Sequence, residues 1–150
     1  MIDLLAMLIP FEGLSDFKLY QNISLTKNLL EESRLDYYEE IWSDDTCTIP
    51  DPWTVLHIEG SVTLFFSNDK LFKITTGIGY KGKLPNEISI GMTLEEAFTK
   101  DADLSFDEWN EDYESPSGYW VEDDPETHQI ISISIFIKEI EDDDFEEHKW

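Results

Sequence analysis

Few residues in this chain could carry covalent or metal chemistry. One cysteine, Cys47, and three histidines, His57, His128 and His148, are the whole set of soft ligands and near-neutral bases. No two histidines have the spacing that puts a pair of imidazoles on one helix face for zinc, and one cysteine cannot build a thiolate-rich site. A cysteine nucleophile needs a base beside it, and nothing near Cys47 in sequence supplies one. The expectation is a buried or semi-buried thiol and ordinary histidines, with no catalytic residue, no metal ligand and no cofactor assigned.

Carboxylates are plentiful: 34 Asp and Glu. Among so many, an acid/base pair can always be found in space, so abundance alone assigns nothing. Glu122-Asp123-Asp124 and Asp142-Asp143-Asp144 lack the alternating spacing and glycine of a calcium loop and read as solvated turns. Gly77, Gly79 and Gly82 have G-x-G-x-x-G spacing. A dinucleotide site needs a helix opening directly from that turn, and here the next helix starts only after Ile90.

Charge is the outlying property. Ten basic residues face the 34 acidic ones, for a formal net charge of −24. Nucleic acids and anionic lipids are excluded as direct ligands, because both need Lys and Arg against their phosphates. A one-sign field of this size attracts a basic partner and speeds its association. The lone cysteine excludes an internal disulfide and suits a reducing cytoplasm. The apolar stretch from Met1 to Ile9 is short and carries Asp3, which makes a poor signal peptide, and no run reaches membrane-spanning length.

The most informative segment runs from Asp101 to Ile137. It contains eleven Asp and Glu and no Lys or Arg. Aromatic residues are interleaved with the acids: Asp107, Glu108, Trp109, Glu111, Asp112, Tyr113, Glu114, then Trp120, Glu122, Asp123 and Asp124. Carboxylates receive Lys and Arg, and aromatic rings anchor an interface. These residues are the candidate partner-binding set. Strand alternation with the rings in the core and the acids in water gives the same pattern, and the sequence leaves that alternative open.

The elements that must position this set are read from periodicity. Leu25, Leu29, Leu30 and Leu35 predict an amphipathic helix over part of 25–38, with Glu31, Glu32 and Arg34 wet. Asp44, Asp45, Pro50 and Pro52 mark a loop. Val55–Ile58, Val62–Phe66 and Lys70–Thr75 predict strands, the last two joined by a turn at Ser67-Asn68-Asp69. Thr93 with Glu96 predicts a capping box, opening a helix whose inward stripe is Leu94, Ala97 and Phe98 and which ends near 100–103. Tyr119–Glu122 reads as a strand. Ile131, Ile133, Ile135 and Ile137 alternate along a central strand with one buried face. The acidic tail, 139–150, is expected to fray at its end.

The fold class expected is therefore α+β: one domain, residues 1–150, with a largely antiparallel sheet. The order helix, acidic-aromatic stretch, hairpin occurs twice, which suggests repeat units over about 20–76 and 88–138, with Leu35 matched to Leu104 and the turn at Asn68-Asp69 matched to Pro125-Glu126.

Gly91-Met92-Thr93 followed by Glu95-Glu96-Ala97, a Trp/Tyr strand and a hairpin resembles the helix-then-hairpin unit of β-lactamase-inhibitor-protein-like folds. The small lipoproteins of outer-membrane assembly start a helix similarly. In the inhibitor family two such units fuse, and the joined sheet grips another protein. In size, acidity and cytoplasmic character the chain also resembles immunity proteins of bacterial polymorphic toxin systems, including contact-dependent growth inhibition. These resemblances imply a cytoplasmic, non-enzymatic immunity protein that binds a basic protein toxin, such as a nuclease, and covers its cationic cleft. The alternative is a small cytoplasmic enzyme or ligand-binding domain with a carboxylate-lined pocket.

Overall fold

Two segments of the chain start a helix in the same way. Helix α1 (Ile23–Glu32) is capped by Asn22, whose side chain accepts from the Ser24 N–H at 2.8 Å. Helix α2 (Leu94–Lys100) is capped by Thr93, whose hydroxyl accepts from the Glu96 N–H at 3.2 Å. Each cap satisfies one of the backbone donors that a helix start leaves orphaned. Two residues before each cap the chain is left-handed, at Tyr20 (φ 71°) and Gly91 (φ 92°).

The computed structural model describes residues 2–43, 52–147 and 149–150. Cys47, Asp44, Asp45, Pro50 and His148 lie outside the described residues. The chain opens with three two-residue strands, β1 (Leu8–Ile9), β2 (Gly13–Leu14) and β3 (Phe17–Lys18), which form a small antiparallel sheet. After α1 come β4 (Tyr37–Trp42), β5 (Trp53–Ile58), β6 (Val62–Ser67) and β7 (Lys70–Thr76). After α2 come β8 (Ser105–Asp107), β9 (Asp112–Ser115), β10 (Tyr119–Asp123) and β11 (Ile130–Phe136). These eight strands form one antiparallel sheet in the order β4-β5-β6-β7-β11-β10-β9-β8. Each half is a helix followed by a four-strand meander, and the halves meet through their last strands, with Ile74 opposite Ile135. The fold is α+β and mostly sheet.

Register decides which side chains share a face, because directly opposed residues on neighbouring strands point the same way. One row runs Leu56, Leu64, Ile74, Ile135, Tyr119, and a parallel row runs Ile58, Val62, Thr76, Ile133, Val121. Every member of both rows is buried. This face carries the core and the helices: Lys27 of α1 reaches Glu39 of β4 at 2.6 Å, and Phe98 of α2 meets Tyr113 of β9 at 5.9 Å between ring centroids.

Three sequence expectations need correction. Of the leucines in and just after α1, Leu30 is buried and Leu29 and Leu35 pack against the core as their spacing predicts, but Leu25 is 51% exposed and Thr26 takes a buried position instead. In α2 the buried residues are Leu94 and Ala97, and Phe98 is 41% exposed, lying over the helix-side edge of the sheet. Strand β11 does occupy the middle of the sheet, but its alternation is broken. A bulge sets Asp123 opposite Ile130 and Glu122 opposite Ser132. Ile131 is the extra residue and only half-buried, and Ile130 takes the core position.

The acidic tail folds back, and its end, expected to fray, packs through Trp150. Short 3₁₀ turns at Lys138–Glu141 and Phe145–Glu147 bring Phe145 into the core. Trp150 stacks on Phe145 at 5.2 Å, and Phe145 meets Phe72 of β7 at 5.2 Å.

Candidate functional site

The face of the sheet opposite the helices is where the acids collect. Asp112 and Glu114 stand two apart on β9 and so share a face. Asp107 of β8 is opposite Asp112, and Trp120 of β10 is opposite Glu114. Glu122 follows Trp120 by two and is opposite Ser132 of β11, while Ser134 is opposite both Trp120 and Thr75. Lys73 of β7, opposite Phe136, joins them from the first half of the chain.

Together Lys73, Asn110, Asp112, Trp120, Glu122, Ser132 and Ser134 line a cavity of about 220 Å³. Lys73 extends over the Phe65 ring at 4.2 Å and lies 5.9 Å from the Trp120 ring. Burial pushes its ammonium pKa down, and the charges of Glu122 and Asp112 oppose that shift.

Beside the cavity, one carboxylate oxygen from each of Asp107, Asp112 and Glu114 lies within 4.8 Å of the others. Asn110 braces two of them, its Nδ2 donating to Asp107 Oδ2 at 3.1 Å and to Glu114 Oε2 at 3.2 Å. Asp107 also accepts from the Trp109 N–H at 2.9 Å, the main reason its carboxyl is held below the usual range. Asp112 is driven the other way, chiefly by burial. Glu114 is pushed up to about 7, first by burial and then by sharing hydrogen bonds and negative field with Asp112 and Asp107. Near neutral pH, Glu114 therefore still holds its proton part of the time. Among the described residues none of the three makes an ion pair with Lys, Arg or His.

The candidates named from sequence divide into groups. Asp107, Asp112, Glu114, Trp120 and Glu122 share the open face. Glu108, Trp109 and Glu111 project from the turn joining β8 and β9, where Trp109 is 93% exposed. Tyr113 points to the other face, against Phe98 and Phe106, and serves packing there. Asp123 is engaged with His128 Nδ1 at 3.0 Å, and Asp124 Oδ1 accepts the Glu126 and Thr127 N–H groups at 2.8 and 3.2 Å. These last two residues hold the turn between β10 and β11.

Sequence reasoning missed Asn110 and Lys73. Asn110 lies inside the acidic run and was legible from the β8–β9 turn. Lys73 had no sequence signal, because only the long-range pairing of β7 with β11 brings it there.

A second polar cluster ties α2 to the sheet. Asp101, which ends the helix, accepts from Ser115 Oγ at 2.6 Å and from Tyr119 Oη at 2.5 Å. Burial acts to raise the Asp101 pKa, but these hydrogen bonds and the Asp103 N–H outweigh it and hold the carboxyl low. Burial, and then the same contact with Asp101, push the Tyr119 phenol well up.

No family model, no curated protein and no solved structure matches this chain. No helix among the described residues is long and apolar enough to cross a membrane.

Proposed function

We propose that this chain is a cytoplasmic binding protein that neutralises a basic protein toxin, with no catalysis of its own, and that the partner docks on the open face at β8–β10. The observation that carries the reading is the row of unpaired carboxylates beside exposed aromatic surface. Glu108, Glu111 and Glu122 are exposed and make no ion pair among the described residues, while Trp109 projects into solvent next to them. A Lys- or Arg-rich cleft would supply the missing counter-charge, and the tryptophans would supply apolar contact. A nuclease is the toxin class whose substrate site is most cationic. Covering that site with carboxylates would exclude the nucleic acid.

The reading is tested by co-expressing the chain with candidate basic toxin domains, nucleases first, and scoring growth. Protection should be lost when Glu108, Glu111 and Glu122 are all changed to Lys in a chain that still folds. Full protection by that variant would remove the proposed face.

A second reading, a small-ligand or enzymatic domain, rests on the cavity at Lys73, Asp112 and Trp120. Its volume of about 220 Å³ falls below the roughly 300–1,000 Å³ of typical ligand pockets, which weighs against that cavity; the larger hollow of about 500 Å³ at Asp36, Tyr38, His57 and Glu59 falls within that range.

A further inference from the structure

We propose that the outer edge of β4 docks an extended basic strand of a protein partner, which adds to the sheet antiparallel to β4. The sheet ends on two unlike edges. Edge β8 is three residues long, whereas β4 runs for six in unbroken register with β5. The Glu59 N–H donates to Asp36 O at 3.0 Å, which sets the phase of that ladder. Backbone groups alternate between the two sides of a strand. Tyr38, Glu40 and Trp42 therefore face β5, and Tyr37, Glu39 and Ile41 turn their N–H and C=O outward. Among the described residues nothing pairs with those outward groups.

Proteins blunt open edges with bulges, proline, lysine or a covering element. Strand β4 has no bulge, proline or lysine, and Tyr38, Ile41 and Trp42 are 64%, 55% and 40% exposed. Its guard is the pair Glu39-Glu40, and that guard selects by charge. A second copy of this chain, paired antiparallel about the same centre, would set Glu39 against Glu40, and like charges directly opposed destabilise a ladder. The net charge of −24 adds to the repulsion. A basic strand is attracted instead. Lys27 contacts Glu39 Oε1, and His57 and Trp42 contact Glu40 Oε1. An ionised carboxylate has about four acceptor sites, so these contacts leave capacity for a partner's cations. Beside the start of the edge, a hollow of about 500 Å³ bordered by Asp36, Tyr38, His57 and Glu59 leaves room for incoming side chains. Read from opposite Trp42 back to opposite Tyr37, the complementary strand carries two apolar residues, two basic ones, an aromatic one and an apolar one.

This edge lies at the far end of the sheet from β8 and uses none of the docking-face residues, so the two ideas fail separately. The probe is a synthetic hairpin peptide whose outer strand reads Ile-Val-Arg-Lys-Tyr-Val, titrated into the purified chain. A control hairpin carries Glu-Glu in place of Arg-Lys. The expected result is saturable binding of the basic hairpin alone, retained when Glu108, Glu111 and Glu122 are all changed to Lys. Ile41→Pro deletes an outward N–H, spares the bonds to β5, and should weaken binding at least about tenfold. Amide hydrogen exchange on the wild-type complex needs no variant: the Tyr37, Glu39 and Ile41 N–H groups should gain protection when the hairpin binds. Absence of saturable binding overturns the proposal, as does loss of binding in the triple Lys variant, which would put the hairpin on the other face. Equal binding by Ile41→Pro or of the Glu-Glu hairpin, or binding without the added protection, overturns it too and would mean that no strand is added at β4.

Discussion

Asn22 and Thr93 occupy the same place in the two halves of the sheet. Each caps a helix, and each pairs in an isolated bridge with the strand start of its own half, Asn22 with Lys70 and Thr93 with Gln129. The next residue repeats the match: the Ile23 N–H donates to Asp69 O at 2.8 Å and the Leu94 N–H to His128 O at 2.9 Å. The preceding backbone bonds match as well, Tyr20 N–H to Leu71 O at 2.7 Å and Gly91 N–H to Ile130 O at 2.8 Å. The same backbone is thus built twice from almost unrelated side chains.

Removing either cap should therefore cost a similar amount. Asn22→Ala and Thr93→Ala are each expected to lower stability by about 1 kcal/mol, read as a shift in denaturant midpoint with an unchanged slope. A change confined to one variant would break the equivalence.

Much of this architecture was legible. Alternation and turn residues located β5, β6, β7, β10 and β11, and Thr93 announced α2. The structure moves the turn correspondence, placing Asp69 against His128 where the sequence had matched Asn68-Asp69 with Pro125-Glu126. Most of the facing of α1 was legible from Leu29, Leu30 and Leu35, but the exposure of Leu25 and the burial of Thr26 were not, since their residue types suggest the reverse. The candidate site was half legible. Strand parity joins Asp112 to Glu114 and Trp120 to Glu122, but the departure of Tyr113 to the helix side follows from the same parity and was overlooked. The contribution of Lys73 depends on how the halves join, and no local pattern records that.

The orientation of α1 gives a direct contrast. Leu30→Ala should cost about 2–5 kcal/mol by opening a cavity, while Leu25→Ala should stay within about 0.5 kcal/mol. Equal losses would mean the helix is rotated from the position described.

The junction of the halves is equally testable. Ile135 is fully buried opposite both Ile74 and Tyr119, so Ile135→Ala should also cost about 2–5 kcal/mol. A neutral result would contradict a shared core across β7 and β11.

Asp101 sets a pH dependence. Its folded carboxyl is held below its ordinary value, so its stabilising contribution is present above the unfolded pKa near 4 and is lost as pH falls through the lower folded value. Asp101→Asn should therefore be less stable than wild type at neutral pH, and the difference should shrink on acidification. Melting curves between about pH 2 and 7 read this, and a gap independent of pH would mean that ionisation of Asp101 contributes nothing.

The central claim is that the open acidic face recognises a basic protein. The most direct measurement is the binding kinetics of the purified chain with a panel of basic nuclease toxin domains, at roughly 0.05 and 0.5 M salt, over which the Debye length shortens about threefold. The expected result is tight binding whose association slows steeply with salt, and that weakens at least about a hundredfold when Glu108, Glu111 and Glu122 are all changed to Lys. No complex, or a complex indifferent to both salt and those reversals, would contradict the account.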